Sequence, residues 1–117
     1  MEIRERDLGD AYVMEISGRM DTISSKDLDA RLNCVIGRNI AKIVIDLEAV
    51  DYISSVGLRV LLAALKRQKE NQRCLVLAAL QPFVKDIFRV TGLEKIFSIY
   101  SSQQDAIDGR NFRRDQR

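Results

Sequence analysis

The chain has 117 residues, 46% of them apolar and 31% charged, a formal net charge of +2 and no histidine. That length makes one domain, and the composition is that of a soluble globular protein. Without histidine, no Ser–His or Cys–His nucleophile and no histidine-ligated metal can be assembled.

The basic excess is local. Residues 110–117 hold Arg110, Arg113, Arg114 and Arg117 against Asp115, a net +3, and +2 less +3 leaves −1 for residues 1–109. The body therefore has no basic stripe of the kind that binds nucleic acid. We expect one domain over 1–109 and a basic, disordered C-terminal tail over 110–117.

Glu2–Arg6 alternates and is charged, which predicts a short edge strand. Asp7-Leu8-Gly9-Asp10 is a turn cluster, and Ala11–Ser17, closed by Gly18, completes a hairpin. Asp21–Ser25 is a polar loop with several possible helix caps. Leu28, Leu32, Val35 and Ile36 recur at i, i+4, i+7, i+8 and predict a first helix, ended by Gly37 in a left-handed cap. Lys42–Leu47 is β-branched and apolar, as in strands covered on both faces.

After a loop over Glu48–Gly57, Leu58, Leu61, Leu62 and Leu65 mark the clearest amphipathic helix. Arg73–Leu80 reads as a buried strand. Pro82 opens a third helix with Val84, Ile87 and Phe88 on one face, and Gly92 caps it with an apolar contact from Leu93. Ile96–Tyr100 is a last strand and Gln103–Asp108 a short helix. The order β-β-α-β-α-β-α-β-α predicts an α/β fold. It has a mixed, mostly parallel sheet of 4–5 strands, the first antiparallel at the edge, with 4 helices.

Cys34 and Cys74 lie outside any metal spacing and are expected to be buried small apolar residues. No apolar run approaches 18 residues, and the N-terminus is charged without an apolar signal core. A cytoplasmic protein without membrane insertion is expected.

Sites in open α/β sheets lie beyond the carboxyl ends of the parallel strands. Three loops leave those ends here, Gly18–Ser25, Glu48–Gly57 and Gln81-Pro82. The middle one places Ser54, Ser55 and Gly57 at the start of the leucine-rich helix. A helix start offers unpaired N–H groups and a partial positive charge, which suit a phosphoryl group. The plainer reading makes a serine the helix cap and Gly57 a packing contact. Asp21 either faces a partner or caps the first helix. Asp46 either shapes the loop or bonds nearby backbone N–H groups. Arg59 is a solvated or interface cation.

Val44-Ile45-Asp46-Leu47, followed by Tyr52-Ile53-Ser54-Ser55-Val56-Gly57-Leu58-Arg59-Val60-Leu61-Leu62, resembles the signature of bacterial anti-sigma factor antagonists, the STAS family. Upstream, Gly18-Arg19-Met20-Asp21 is similar to that family's Gly-x-Leu-Asp. The resemblance covers about residues 1–109 and implies a STAS fold. It implies a protein-binding module that is not an enzyme and has no cofactor or metal. Its partners would be an anti-sigma factor that is also a serine kinase, and a metal-dependent serine phosphatase that resets it.

Aligned on Gly57-Leu58, Ser54 stands where the family has Asp. Ser55 matches the first serine of the motif, and Val56 occupies the second, the acceptor in many members. Ser55 is then the expected phosphorylation site, ahead of Ser54. The expected partner surface is Asp21, Thr22, Ser54, Ser55, Val56, Gly57 and Arg59. The competing reading is a STAS scaffold without phosphorylation, a subunit of a transporter or stress-sensing complex. A serine hydrolase lacks its histidine base here, and a receiver domain lacks its acidic pair.

Overall fold

The computed structural model describes residues 1–109; the basic tail of 110–117 lies outside the described residues. Strands β1 (Glu2–Asp7), β2 (Tyr12–Met20), β3 (Lys42–Ile53), β4 (Cys74–Ala78) and β5 (Ser98–Tyr100) form one sheet in the order β1-β2-β3-β4-β5. The β1–β2 hairpin is antiparallel and the remaining three pairings are parallel. Helices α1 (Ser24–Ile36), α2 (Ser55–Glu70) and α3 (Pro82–Val90) connect the parallel neighbours, and α4 (Gln103–Asp108) follows the last strand.

Alternation along the strands divides the core. Met14, Ile16, Ile43, Ile45, Leu75 and Leu77 pack with Leu28 and Leu32 of α1, Leu61 and Leu65 of α2, and Val84 and Phe88 of α3. The alternate residues Val13, Val44 and Val76 face the other way and pack with Tyr100 and with Ala106 of α4. The sheet thus carries three helices on one face and one short helix on the other. Strand order never reverses, so the loops at the carboxyl ends of β2, β3 and β4 lie in a row. Phe97, between α3 and β5, meets Phe88 edge to face with ring centres 5.6 Å apart, closing the β5 end of the larger layer.

At the opposite edge, Glu5 accepts hydrogen bonds from Tyr12 and Arg31, which ties β1 to β2 and α1. Burial raises the Glu5 pKa, but those bonds and the charges of Arg31 and Arg38 outweigh it and hold the carboxyl below its ordinary value.

Several expectations need correcting. β2 does not stop at Ser17; it runs through Gly18 (φ +97) to Met20. β3 continues twelve residues to Ile53, so most of the expected Glu48–Gly57 loop is strand. Beyond Asp46 it leaves β4 behind and pairs only with β2. Two extra residues are taken up there: Glu15 faces Asp46 but Ser17 faces Ala49, and Gly18 faces Val50 but Arg19 faces Tyr52. Such bulges bend a strand and re-aim its side chains. Asp46 steadies the first by accepting the Glu48 N–H at 2.9 Å.

β4 and β5 are shorter than expected, and a 3₁₀ turn over Leu93–Lys95 precedes β5. Gly37 is not left-handed (φ −64); Asn39 (φ +60) takes that conformation two residues later, as asparagine can. Gly92 is left-handed as expected (φ +79). Neither cysteine is buried. Cys34 falls on the outward side of α1 beside buried Val35, and Cys74 begins β4 just before its buried run.

Candidate functional site

The start of α2 is built on the ends of β2 and β3. Met20 and Ile53 are register partners, and the next N–H, that of Ser54, donates to Met20 O at 2.9 Å. Ser54 is extended (φ −88, ψ 169), and its hydroxyl accepts the Gly57 N–H at 3.1 Å. It is the N-cap, and its carbonyl takes the first intrahelical bond, from Leu58 N at 3.0 Å.

Ser55 is the first helical residue. It is exposed, and its hydroxyl has no hydrogen-bond partner among the described residues. Val56 is half-buried. Arg59 is exposed four residues after Ser55, an i,i+4 spacing that puts both on one side of the helix.

Gly57 is buried, and its role is steric. A Cβ there would lie 3.1 Å from Ile53 Cγ1, 3.2 Å from Ser25 Oγ and 3.3 Å from Met20 O. The missing side chain lets α2 lie directly against the end of β2 and the start of α1. The helix-cap reading thus holds for Ser54 and the packing reading for Gly57, while Ser55 is left open.

The loop entering α1 lies alongside. Asp21 Oδ1 accepts the Ser24 N–H at 2.9 Å and is 2.9 Å from the Ser24 hydroxyl, which itself accepts the Asp21 N–H at 3.0 Å. The Ser24 N–H, then its hydroxyl, hold the Asp21 carboxyl below its ordinary value. Asp21 therefore secures the helix entry. Thr22 beside it is exposed. Arg19 stacks its guanidinium 4.0 Å above the Tyr52 ring, joining the two strand ends on the sheet's other side.

The fold therefore brings Asp21 and Thr22 beside Ser54, Ser55, Val56 and Gly57, with Arg59 one turn along. Asp46 stands apart. Its Oδ2 accepts from Gln103 Nε2 at 2.6 Å, and the same amide bonds Glu15 at 2.7 Å, so Asp46 secures α4 as well as the bulge. A cavity of about 180 Å³ on that face, lined by Glu2, Arg4, Glu15, Asp46 and Glu48, includes none of the expected site residues.

Two residues escaped the sequence reading. Ile23 is 82% exposed in the loop before α1, and Phe83 is 57% exposed in the first turn of α3. Strand order places their loops on either side of the α2 start. The available signal was that neither sits on the apolar stripe of its helix. Among the described residues, no group of three or more acidic or cysteine side chains could hold a metal ion, and no helix is long and apolar enough to cross a membrane.

Comparison with known proteins agrees with this architecture. The STAS domain model matches residues 2–106. BtrV of Bordetella bronchiseptica, which bears the name of an anti-sigma factor antagonist, is 34% identical over 91 residues, 78% of each chain. The anti-sigma-F factor antagonist RsfB of Mycobacterium tuberculosis is 32% identical over 97 residues, 83% of this chain and 79% of its own. The crystal structure of an anti-sigma factor antagonist from Mycobacterium paratuberculosis superposes with a TM-score of 0.85 at 27% identity, covering 92% of both chains.

Proposed function

The chain belongs to the STAS domain family, and from that premise we propose that it is an anti-sigma factor antagonist switched by phosphorylation of Ser55. In its unmodified state it binds an anti-sigma factor that is also a serine kinase, and so releases the sigma factor. The binding surface is the row of helix starts, with Thr22, Ser55, Val56 and Arg59 in contact and Asp21, Ser54 and Gly57 shaping it. The protein acts in the cytoplasm and catalyses nothing itself.

One observation carries the choice of acceptor. Of the two adjacent serines, Ser54 commits its hydroxyl to the helix cap, whereas Ser55 presents its own to solvent. The kinase transfers the terminal phosphoryl group of ATP to Ser55 Oγ. The bridging P–O bond of ATP breaks, an Oγ–P bond forms, ADP leaves and the hydroxyl proton is released. A metal-dependent phosphatase reverses the modification by hydrolysis to serine and inorganic phosphate. The phosphoryl group adds about −1.5 to −2 charges in the middle of the surface. A penalty of about 3 kcal/mol there weakens binding roughly 100-fold.

Incubation with the partner kinase and ATP should add one phosphate, mapped by peptide mass spectrometry to Ser55. Ser55→Asp should lose about two orders of magnitude in affinity by calorimetry with its unfolding transition unchanged, and Ser55→Ala should still bind. A phosphate mapped elsewhere, or equal affinities for the two variants, would overturn the assignment. No phosphate with the true partner would favour the scaffold reading.

A further inference from the structure

We propose that Ser54 is the positioning residue of this site: as an uncharged cap it fixes Ser55 at the first helical position and leaves the helix start free to hold a phosphoryl group on Ser55. The inference rests on Ser55 as the acceptor and deepens that reading.

Ser54 is held through all its polar groups. Its N–H donates to Met20 O, its hydroxyl accepts from Gly57 N, and its carbonyl accepts from Leu58 N. The turn it begins has no room to shift. Gly57 is wedged against Ile53, Met20 O and the Ser25 hydroxyl, which is fully buried, has no partner among the described residues and points at this turn. The first turn of α2 contains no acidic residue. Of the N–H groups that a helix start leaves unpaired, those of Ser54 and Gly57 are taken, while those of Ser55 and Val56 have no acceptor among the described residues.

The charged groups nearest the helix starts on the surrounding elements are Arg19 and Asp21 on the β2 side, Lys26 and Asp27 on α1, Asp51 on β3, Arg59 on α2, and Lys85 and Asp86 on α3. Asp21 is engaged by Ser24, and Arg59 shares the side of Ser55. A phosphoryl group on Ser55 therefore meets two free N–H groups, the positive end of the helix and a cation one turn away. An acidic cap would cap the unmodified helix equally well. It would also put a negative charge one residue from the phosphate, held there by the same bond from the Gly57 N–H.

The test uses phosphoserine installed at position 55 of the full chain by genetic encoding, so no kinase is needed. It is compared in the native, Ser54→Asn and Ser54→Asp backgrounds. Phosphorus NMR follows the second ionisation of the phosphate, and thermal unfolding is measured with and without it. In the native and Ser54→Asn proteins the second pKa should fall at or below the usual value of about 6, and the phosphate should raise the unfolding temperature. In Ser54→Asp the pKa should rise by about half a unit to one unit relative to Ser54→Asn, and the thermal effect should reverse sign. Unphosphorylated Ser54→Asp should unfold no earlier than native, which separates charge from loss of the cap. Equal pKa values in Ser54→Asp and Ser54→Asn would overturn the proposal. Failure of a kinase to modify Ser55 would sink the acceptor assignment and leave this result standing.

Discussion

Helices α1 and α2 both start at the carboxyl end of a parallel strand, side by side, and both starts are rich in serine. They differ in what is left over. At α1, Asp21 and Ser24 answer each other through backbone and side chain, and among the described residues two hydroxyls there lack a partner, that of Ser25 sealed inside and that of Thr22 exposed in the loop before the helix. At α2, Ser54 alone does the capping, and an adjacent hydroxyl stands in solvent with two backbone N–H groups beside it. The exposed remainder at α1 lies in the loop ahead of the helix. At α2 it sits on the first helical residue, where unpaired N–H groups and the positive end of the helix meet it.

Gly57 is where the two starts meet, so the largest effect should come from filling that space. Ser25 Oγ could turn aside, but Met20 O is backbone and must be displaced. Gly57→Val should cost about 3 kcal/mol by urea denaturation, the upper part of the usual overpacking range. A loss below 1 kcal/mol would mean the starts are not locked together. A smaller effect is expected at Asp21, whose folded-state pKa lies below its ordinary value of 3.8. Its contribution is present above that value and lost as pH falls through the folded pKa. The gap in unfolding temperature between native protein and Asp21→Asn should narrow below about pH 4. An unchanged gap would mean that the Asp21 charge plays no part in holding the α1 entry. The smallest effect belongs to Ser25→Ala, which removes a buried hydroxyl with no hydrogen-bond partner among the described residues. It should be neutral or stabilising by up to about 1 kcal/mol. A clear destabilisation would show that this hydroxyl has a partner after all.

Much of this was legible in the sequence because the information was local. The stripe Leu28, Leu32, Val35, Ile36 is buried throughout, as periodicity predicts. Pro82 opens α3 and Gly92 closes it because their backbone preferences act on their own residues. The family motif points to the candidate site because Gly57 and its serines follow one another in the chain. The misreadings share a different cause. The far half of β3 looks like a loop because Glu48, Ala49 and Asp51 are exposed where β4 has already ended. Gln68 gave no sign of burial, yet its side chain lies fully inside, donating to Ile40 O and Cys74 O. Those carbonyls reach it only after the strands pair. Leu58 and Leu62, read as one face with Leu61 and Leu65, are only partly buried; Ala64 and Gln68 complete the buried side instead.

The bond from Ser54 N–H to Met20 O also bears on how an enzyme could reach the neighbouring hydroxyl. Drawing residues 52–58 out as an extended ribbon would break that bond, the cap to Gly57 and the first turn of α2 together. Under the proposed switch, a kinase that modifies Ser55 without such an opening accepts it on an intact folded surface. A free peptide with the same residues offers the letters of the motif without its shape.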